Sequence, residues 1–168
     1  MPAGTDTYEI HKITLGEEIL RSGGSIRLRV LGTSMLPSVW PGDIVNIEGQ
    51  TVDAIICGDI VLYKARDSFF VHRLIERSET ENRIQWITRG DSMPQADPAV
   101  PESHLLGRVS SICRRGRTII PNRKLTFLTR AAGWVLCHSD SVRSLALRVQ
   151  SFRVRQRSNT FAQPARYF

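Results

Sequence analysis

The sequence predicts a mainly β domain: an antiparallel sheet preceded by a short helix and followed by basic helices. Three observations carry this prediction. Short apolar runs recur between residues 25 and 113, punctuated by Gly, Asp and Pro. A 3.6-residue apolar period is confined to the segments before residue 24 and after residue 125. The charge divides along the same line. Residues 1–113 hold 11 Lys/Arg and 15 Asp/Glu, a net of −4, whereas residues 114–168 hold 12 Lys/Arg and the single acid Asp140, a net of +11. The expected organisation is therefore an N-terminal helix over 1–24, a β domain over 25–113 and a basic helical extension over 114–168.

Residues 8–21 place Ile10, Ile13 and Ile19-Leu20 on one imperfect face, and Gly23-Gly24 ends the helix. Residues 25–31 alternate apolar and polar with period two, the pattern of a half-buried strand. Strands are expected again over 43–48, 60–63, 69–75, 83–88 and 105–113, giving five to six in all. In the fifth, Ile84, Trp86 and Thr88 share a face. A Gly-Asp-Ile-Val sequence occurs twice, at 42–45 and 58–61. In each, Gly supplies a turn residue tolerant of positive φ and Asp a carboxylate that can cap the turn. Residues 89–104, RGDSMPQADPAVPESH, read as a polar, Pro-rich loop. After Leu125, two amphipathic helices are expected, one carrying Leu125, Leu128, Ala132, Val135 and Leu136, the other Val142, Leu145, Val149 and Phe152, divided by His138-Ser139-Asp140-Ser141.

The 41% hydrophobic and 23% charged composition is that of a globular protein. Three cysteines, none in a C-x-x-C pair, argue against a disulfide framework or a zinc site and fit a reducing, cytoplasmic compartment. Cys57, within Ala54-Ile55-Ile56-Cys57, is expected in the core. The N-terminus lacks the apolar core of a signal peptide. The most apolar later run, residues 125–137, is too short to span a membrane.

The residues that can carry chemistry are few. Ser34 follows a strand within a Gly- and Pro-containing turn. His72 lies among the apolar residues of a strand, and Asp91 and Asp97 lie in the 89–104 loop. A serine needs a base to become a nucleophile, and a base needs an orienting group. Each residue also has a plain reading, as a turn serine, a core histidine and capping carboxylates. The serine is not in G-x-S-x-G, because Leu36 stands two residues after it, which excludes an α/β-hydrolase elbow.

The wording around these residues is more specific. GTSMLPSVWPGDIV, with Ser34-Met35-Leu36-Pro37 followed by Gly42-Asp43, resembles the nucleophile box of the type I signal peptidase superfamily, which includes the self-cleaving repressors. CGDIVLYKARDSFFVHRLIE resembles its next two boxes, and TRGDSMPQAD its Gly-Asp-Asn box. The match runs over about residues 25–110, with the boxes in order. The resemblance implies a coiled antiparallel β-sheet of signal-peptidase/repressor type. It also implies a serine peptidase with Ser34 as nucleophile and His72, in place of the more common lysine, as general base. Histidine at that position is the pattern of the endoplasmic-reticulum and archaeal branch. The acid six residues after Asp91 is Asp97, the implied orienter, with Asp91 supporting. An imidazole titrates near neutrality and can act as base without the burial a lysine needs. Lys64, eight residues before His72, is off the base position. Phe69, Phe70 and residues 28–30 are expected walls of a groove that takes an extended peptide by strand addition.

The chain departs from the pattern in three ways: it has no N-terminal span, Gly32 stands where many relatives place a side-chain oxyanion donor, and Ser92 replaces the Asn of the third box. The expected substrate is a peptide or protein precursor cut after small residues, with neither metal nor cofactor. An anionic membrane surface or another acidic partner is expected for the basic extension, with Trp134 and Phe127 at the interface. Two alternatives share the fold: a self-cleaving repressor-like regulator and a non-catalytic peptide-binding module. DNA is disfavoured as a partner, because only about 24 residues precede the β core, too few for a helix-turn-helix.

Overall fold

The computed structural model describes residues 4–80, 83–125 and 132–133. Helix α1 (Gly4–Arg21) is followed by eight strands: β1 (Ser25–Arg29), β2 (Ile44–Gly49), β3 (Ile60–Ala65), β4 (Ser68–Thr80), β5 (Arg83–Arg89), β6 (Val100–Pro101), β7 (Leu105–Arg114) and β8 (Arg117–Ile119). Every pairing is antiparallel, in the order β1-β2-β7-β3-β4-β5-β6, with β8 hydrogen-bonded to β7. The fold is the mainly β sheet with one N-terminal helix that the sequence predicts. No helix among the described residues is long and apolar enough to cross a membrane.

β3 explains the two-sided core. Its run Ile60-Val61-Leu62-Tyr63 is buried throughout. Ile60 and Leu62 join a cluster with Leu20, Met35, Val39, Val45, Ile47, Leu106, Val109 and Ile112. Val61 and Tyr63 face the other way, into a cluster with Ile55, Leu74, Trp86, Val100 and Leu105. A strand covered on both faces reads as a continuous apolar run, which is what residues 60–63 are. Helix α1 closes the first cluster through Leu20, which is 2% exposed. The helix stops as expected. Gly23 has φ 79° and donates to Leu20 O at 3.0 Å, and Gly24 donates to Ile19 O at 2.9 Å.

Both Gly-Asp-Ile-Val copies form the turn expected of them. Gly42 and Gly58 have φ of 90° and 98°, a region that L side chains disfavour. Asp43 accepts from the Trp40 N–H at 2.8 Å, and Asp59 from the Ile56 N–H at 3.2 Å. Each aspartate is almost fully buried and carries a guanidinium: Arg114 on Asp43 at 2.8 Å and Arg123 on Asp59 at 2.6 Å.

Several details differ from expectation. Helix α1 starts at Gly4 rather than near Tyr8. The sheet has eight strands rather than five or six, and β4 runs for 13 residues. The 89–104 loop contains the two-residue β6 and a turn of 3-10 helix, Glu102–His104. β8 was hidden by its brevity and full exposure, although its two-residue turn, Arg115 (φ 53°) and Gly116 (φ 76°), is a hairpin signal. Cys57 is exposed rather than in the core. The tight turn that Asp59 caps ahead of β3 sends Ile55 inward, at 3% exposure, and leaves Ile56, at 48%, outside beside Cys57. The amphipathic helices expected after Leu125, with Trp134 and Phe127, fall outside the described residues.

Leu20 is the only α1 side chain in the buried cluster among the described residues, and Leu20→Ala costs about 2–5 kcal/mol in urea unfolding monitored by circular dichroism. A loss below about 1 kcal/mol contradicts the placement of α1 in the core.

Candidate active site

The chain between β1 and β2 is a tightly bonded turn that presents Ser34. Val30 N–H donates to Asp43 O at 2.9 Å, and Gly42 N–H returns to Val30 O at 2.8 Å, closing the loop at its base. Inside it, Leu36 N–H donates to Thr33 O at 3.1 Å and Val39 N–H to Met35 O at 2.9 Å. The Trp40 indole N–H donates to Pro37 O at 2.8 Å. Met35, Leu36 and Val39 are buried beneath the turn. With those three pointing down, the Ser34 hydroxyl is left at the surface of the core.

The hydroxyl of Ser34 meets Nε2 of His72 at 2.8 Å. Nδ1 of His72 meets Oδ2 of Asp97 at 2.6 Å. A carboxylate only accepts, so the Nδ1 proton belongs to His72 and Nε2 is left as acceptor for the Ser34 O–H. The structure therefore brings Ser34, His72 and Asp97 into one line. His72 is 8% exposed. Its ring lies edge-on to Tyr63 and Phe70, at centroid separations of 6.1 and 6.4 Å, and those two rings stack on each other at 5.6 Å. Burial pushes the Tyr63 hydroxyl up to about 12; a Thr88 hydrogen bond opposes this rise and the nearby Asp97 charge adds to it. Tyr63 thus stays a neutral phenol throughout the neutral range.

Asp91, the fourth expected residue, does not touch His72. Its side chain is 2% exposed and takes a two-pronged contact from Arg73, Nε to Oδ1 and Nη2 to Oδ2, both at 2.8 Å; the Ser38 hydroxyl also bonds it. Arg73 extends to Gly58 O at 2.6 Å and Asn122 O at 2.9 Å. Asp91 therefore ties the serine turn, β4 and the second Gly-Asp turn together. Its neighbours act more directly. Ser92 N–H donates to Ser34 O at 2.9 Å, and the Ser92 hydroxyl lies 2.9 Å from both Thr33 O and Ser34 O. A Cβ on Gly90 would sit 2.6 Å from Ser34 O, so only glycine admits this approach. Sequence reasoning registered Ser92 only as a departure from the third box. Its role needed the fold, because it lies 58 residues from the carbonyl it holds.

A groove of about 590 Å³ opens beside Ser34, walled by Leu28, Val30 and Leu31 on one side and by Phe69, Phe70 and Val71 on the other. Both walls are strand edges. Among the described residues, β1 pairs only with β2, and residues 68–72 of β4 pair only with β3, because β5 joins β4 from Arg73 onward. Lys64 is engaged elsewhere, 2.9 Å from Glu17 of α1, and its hydrogen bond, with a second from Arg21, holds the Glu17 carboxyl below the usual range. Among the described residues, no group of three or more His, Cys, Asp or Glu is placed to hold a metal ion.

The Peptidase S24-like family model matches residues 1–109, which contain α1, the serine turn, His72, Asp91 and Asp97. No curated protein matches the chain.

Removing the Ser92 hydroxyl takes one hydrogen bond from each of the two carbonyls that frame Ser34, leaving Thr33 O with the Leu36 N–H and Ser34 O with the Ser92 N–H. Ser92→Ala therefore slows hydrolysis of p-nitrophenyl acetate roughly tenfold, since small misplacements of a reacting group are costly. An unchanged rate would show that the Ser92 hydroxyl does not set the position of Ser34.

Proposed function

The chain belongs to the Peptidase S24-like family, and from that premise we propose that it is a serine endopeptidase of signal-peptidase type, cutting a peptide or protein precursor after small residues. The observation that carries this reading is the 2.8 Å approach of the Ser34 hydroxyl to His72 Nε2, with Asp97 behind the ring at 2.6 Å and with Ser34 and His72 at the edge of an open groove.

An extended peptide fits between the free edges of β1 and β4 by main-chain pairing, with alternate side chains directed at the Leu28, Val30 and Val71 walls. Ser34 Oγ attacks the scissile carbonyl carbon while His72 Nε2 takes its proton, and Asp97 stabilises the imidazolium. The tetrahedral intermediate collapses with cleavage of the C–N bond, His72 returning the proton to the leaving amine. Water then attacks the Ser34 ester by the same route, releasing the acid. The Ser34 backbone N–H is a donor for the oxyanion. Gly32 supplies no side chain there, and a Cβ at that position would have no atom within 4 Å. His72 occupies the position that most relatives of the resemblance fill with lysine, which selects the histidine branch as the working comparison. The basic 114–168 segment gives the enzyme a route to an anionic leaflet, at about 1 kcal/mol for each cation near the surface.

Incubation of the purified chain with a diverse peptide library, with and without phosphatidylserine vesicles, reads the specificity directly by mass spectrometry. Cleavage after small residues is expected. Ser34→Ala and His72→Ala abolish it, and Asp97→Asn lowers kcat on the order of 10²- to 10⁴-fold. Cleavage that survives Ser34→Ala overturns the mechanism, and processing confined to the chain's own sequence favours the self-cleaving reading.

A further inference from the structure

Asp97 is less enclosed than His72. Its side chain is 20% exposed, and with His72, Tyr63 and Phe70 it borders a second cavity of about 300 Å³ on the side of His72 away from Ser34. Burial alone therefore does not hold its carboxylate in register with the imidazole. Hydrogen bonds do, and two of them come from one residue of β5. Thr88 is fully buried, its hydroxyl donates to Asp97 Oδ2 at 2.7 Å, and its carbonyl accepts from the Asp97 N–H at 2.8 Å. The register explains the placement. Leu74 of β4 lies opposite Thr88, so His72, two residues earlier on the same strand face, is its diagonal neighbour.

We infer that Thr88 is a positioning residue of this site, holding Asp97 so that the carboxylate accepts from His72 Nδ1–H and the Nε2 lone pair is kept for Ser34. The inference rests on the peptidase reading for its kinetic consequence but not for its structural one. Oδ2 of Asp97 receives both the Thr88 O–H and the His72 N–H. Without the first donor the carboxylate is free to rotate about its side-chain bonds toward the open cavity, and Nδ1 then loses its acceptor. The Tyr63 hydroxyl, 3.4 Å from Nδ1, becomes the alternative partner. Being neutral, it can donate to an unprotonated Nδ1 and so favour the tautomer with the proton on Nε2. That tautomer cannot accept the serine proton.

Thr88→Val keeps the shape of the side chain and removes the hydroxyl; Thr88→Ser keeps the hydroxyl and removes the methyl. Imidazole ¹⁵N chemical shifts of His72 report the tautomer in the intact chain and require no turnover. In the wild type and Thr88→Ser, neutral His72 is expected to carry its proton on Nδ1. In Thr88→Val, the Nε2-protonated form is expected to become a major species. Kinetically, Thr88→Val lowers kcat roughly 10- to 100-fold with KM within about twofold, whereas Thr88→Ser stays within about threefold of wild type. Wild-type tautomer populations in Thr88→Val overturn the inference, as does a Thr88→Ser variant that falls as far as Thr88→Val. If the wild type cleaves no peptide, the peptidase reading has failed and the tautomer measurement alone decides the role of Thr88. If Thr88→Val does not fold, Thr88→Ala is measured by the same shifts.

Discussion

The site depends on one attachment, the stitching of the serine turn to the loop after β5. Ser92 holds the carbonyls of Thr33 and Ser34, and Asp91 beside it grips Arg73 of β4 and Ser38 of the turn. Ser34, His72 and Asp97 are separated in sequence by 38 and 25 residues. These cross-bonds join them, together with the β4–β5 pairing and the contacts of Thr88 to Asp97. Asp91 and Arg73 are both nearly inaccessible to water, so losing either partner strands a buried charge, which costs far more than an exposed ion pair contributes.

The same construction recurs at three places. The aspartates of all three Gly-Asp pairs, Asp43, Asp59 and Asp91, are bound by arginines from distant segments, Arg114, Arg123 and Arg73 respectively. At the first two, positive φ at the glycine sets the turn. At the third, the glycine is needed for a different reason, the close approach of Ser34 O. One dipeptide thus serves two physical purposes, and only the surroundings distinguish them.

Much of the scaffold was legible in the sequence because its signals are local. The two-residue alternation of residues 25–31, the continuous run 60–63, the helix stop at Gly23-Gly24 and the capped Gly-Asp turns depend on short-range backbone chemistry. The positions of Ser34, His72 and Asp97 were legible as candidates, since the order and spacing of the boxes marked them. Three features were not. Cys57 follows an apolar run, yet the turn before β3 rotates it outward. β8 is too short and too exposed to show a period. Ser92 and Thr88 bond to residues that chain distance does not reveal, and Thr88 looked only like one more inward residue beside Trp86. Polar contacts across long separations are the part of a site that periodicity cannot display.

The central claim is that Ser34 becomes acylated by the substrate. Rapid-quench mass spectrometry of the intact chain, mixed with a peptide it cleaves and followed by mapping of any adduct, tests this most directly. A transient adduct of the mass of the N-terminal product fragment is expected, located on Ser34 and prolonged in Asp97→Asn. An adduct on another residue, or cleavage under single-turnover conditions with no adduct and direct transfer of solvent oxygen, would contradict it.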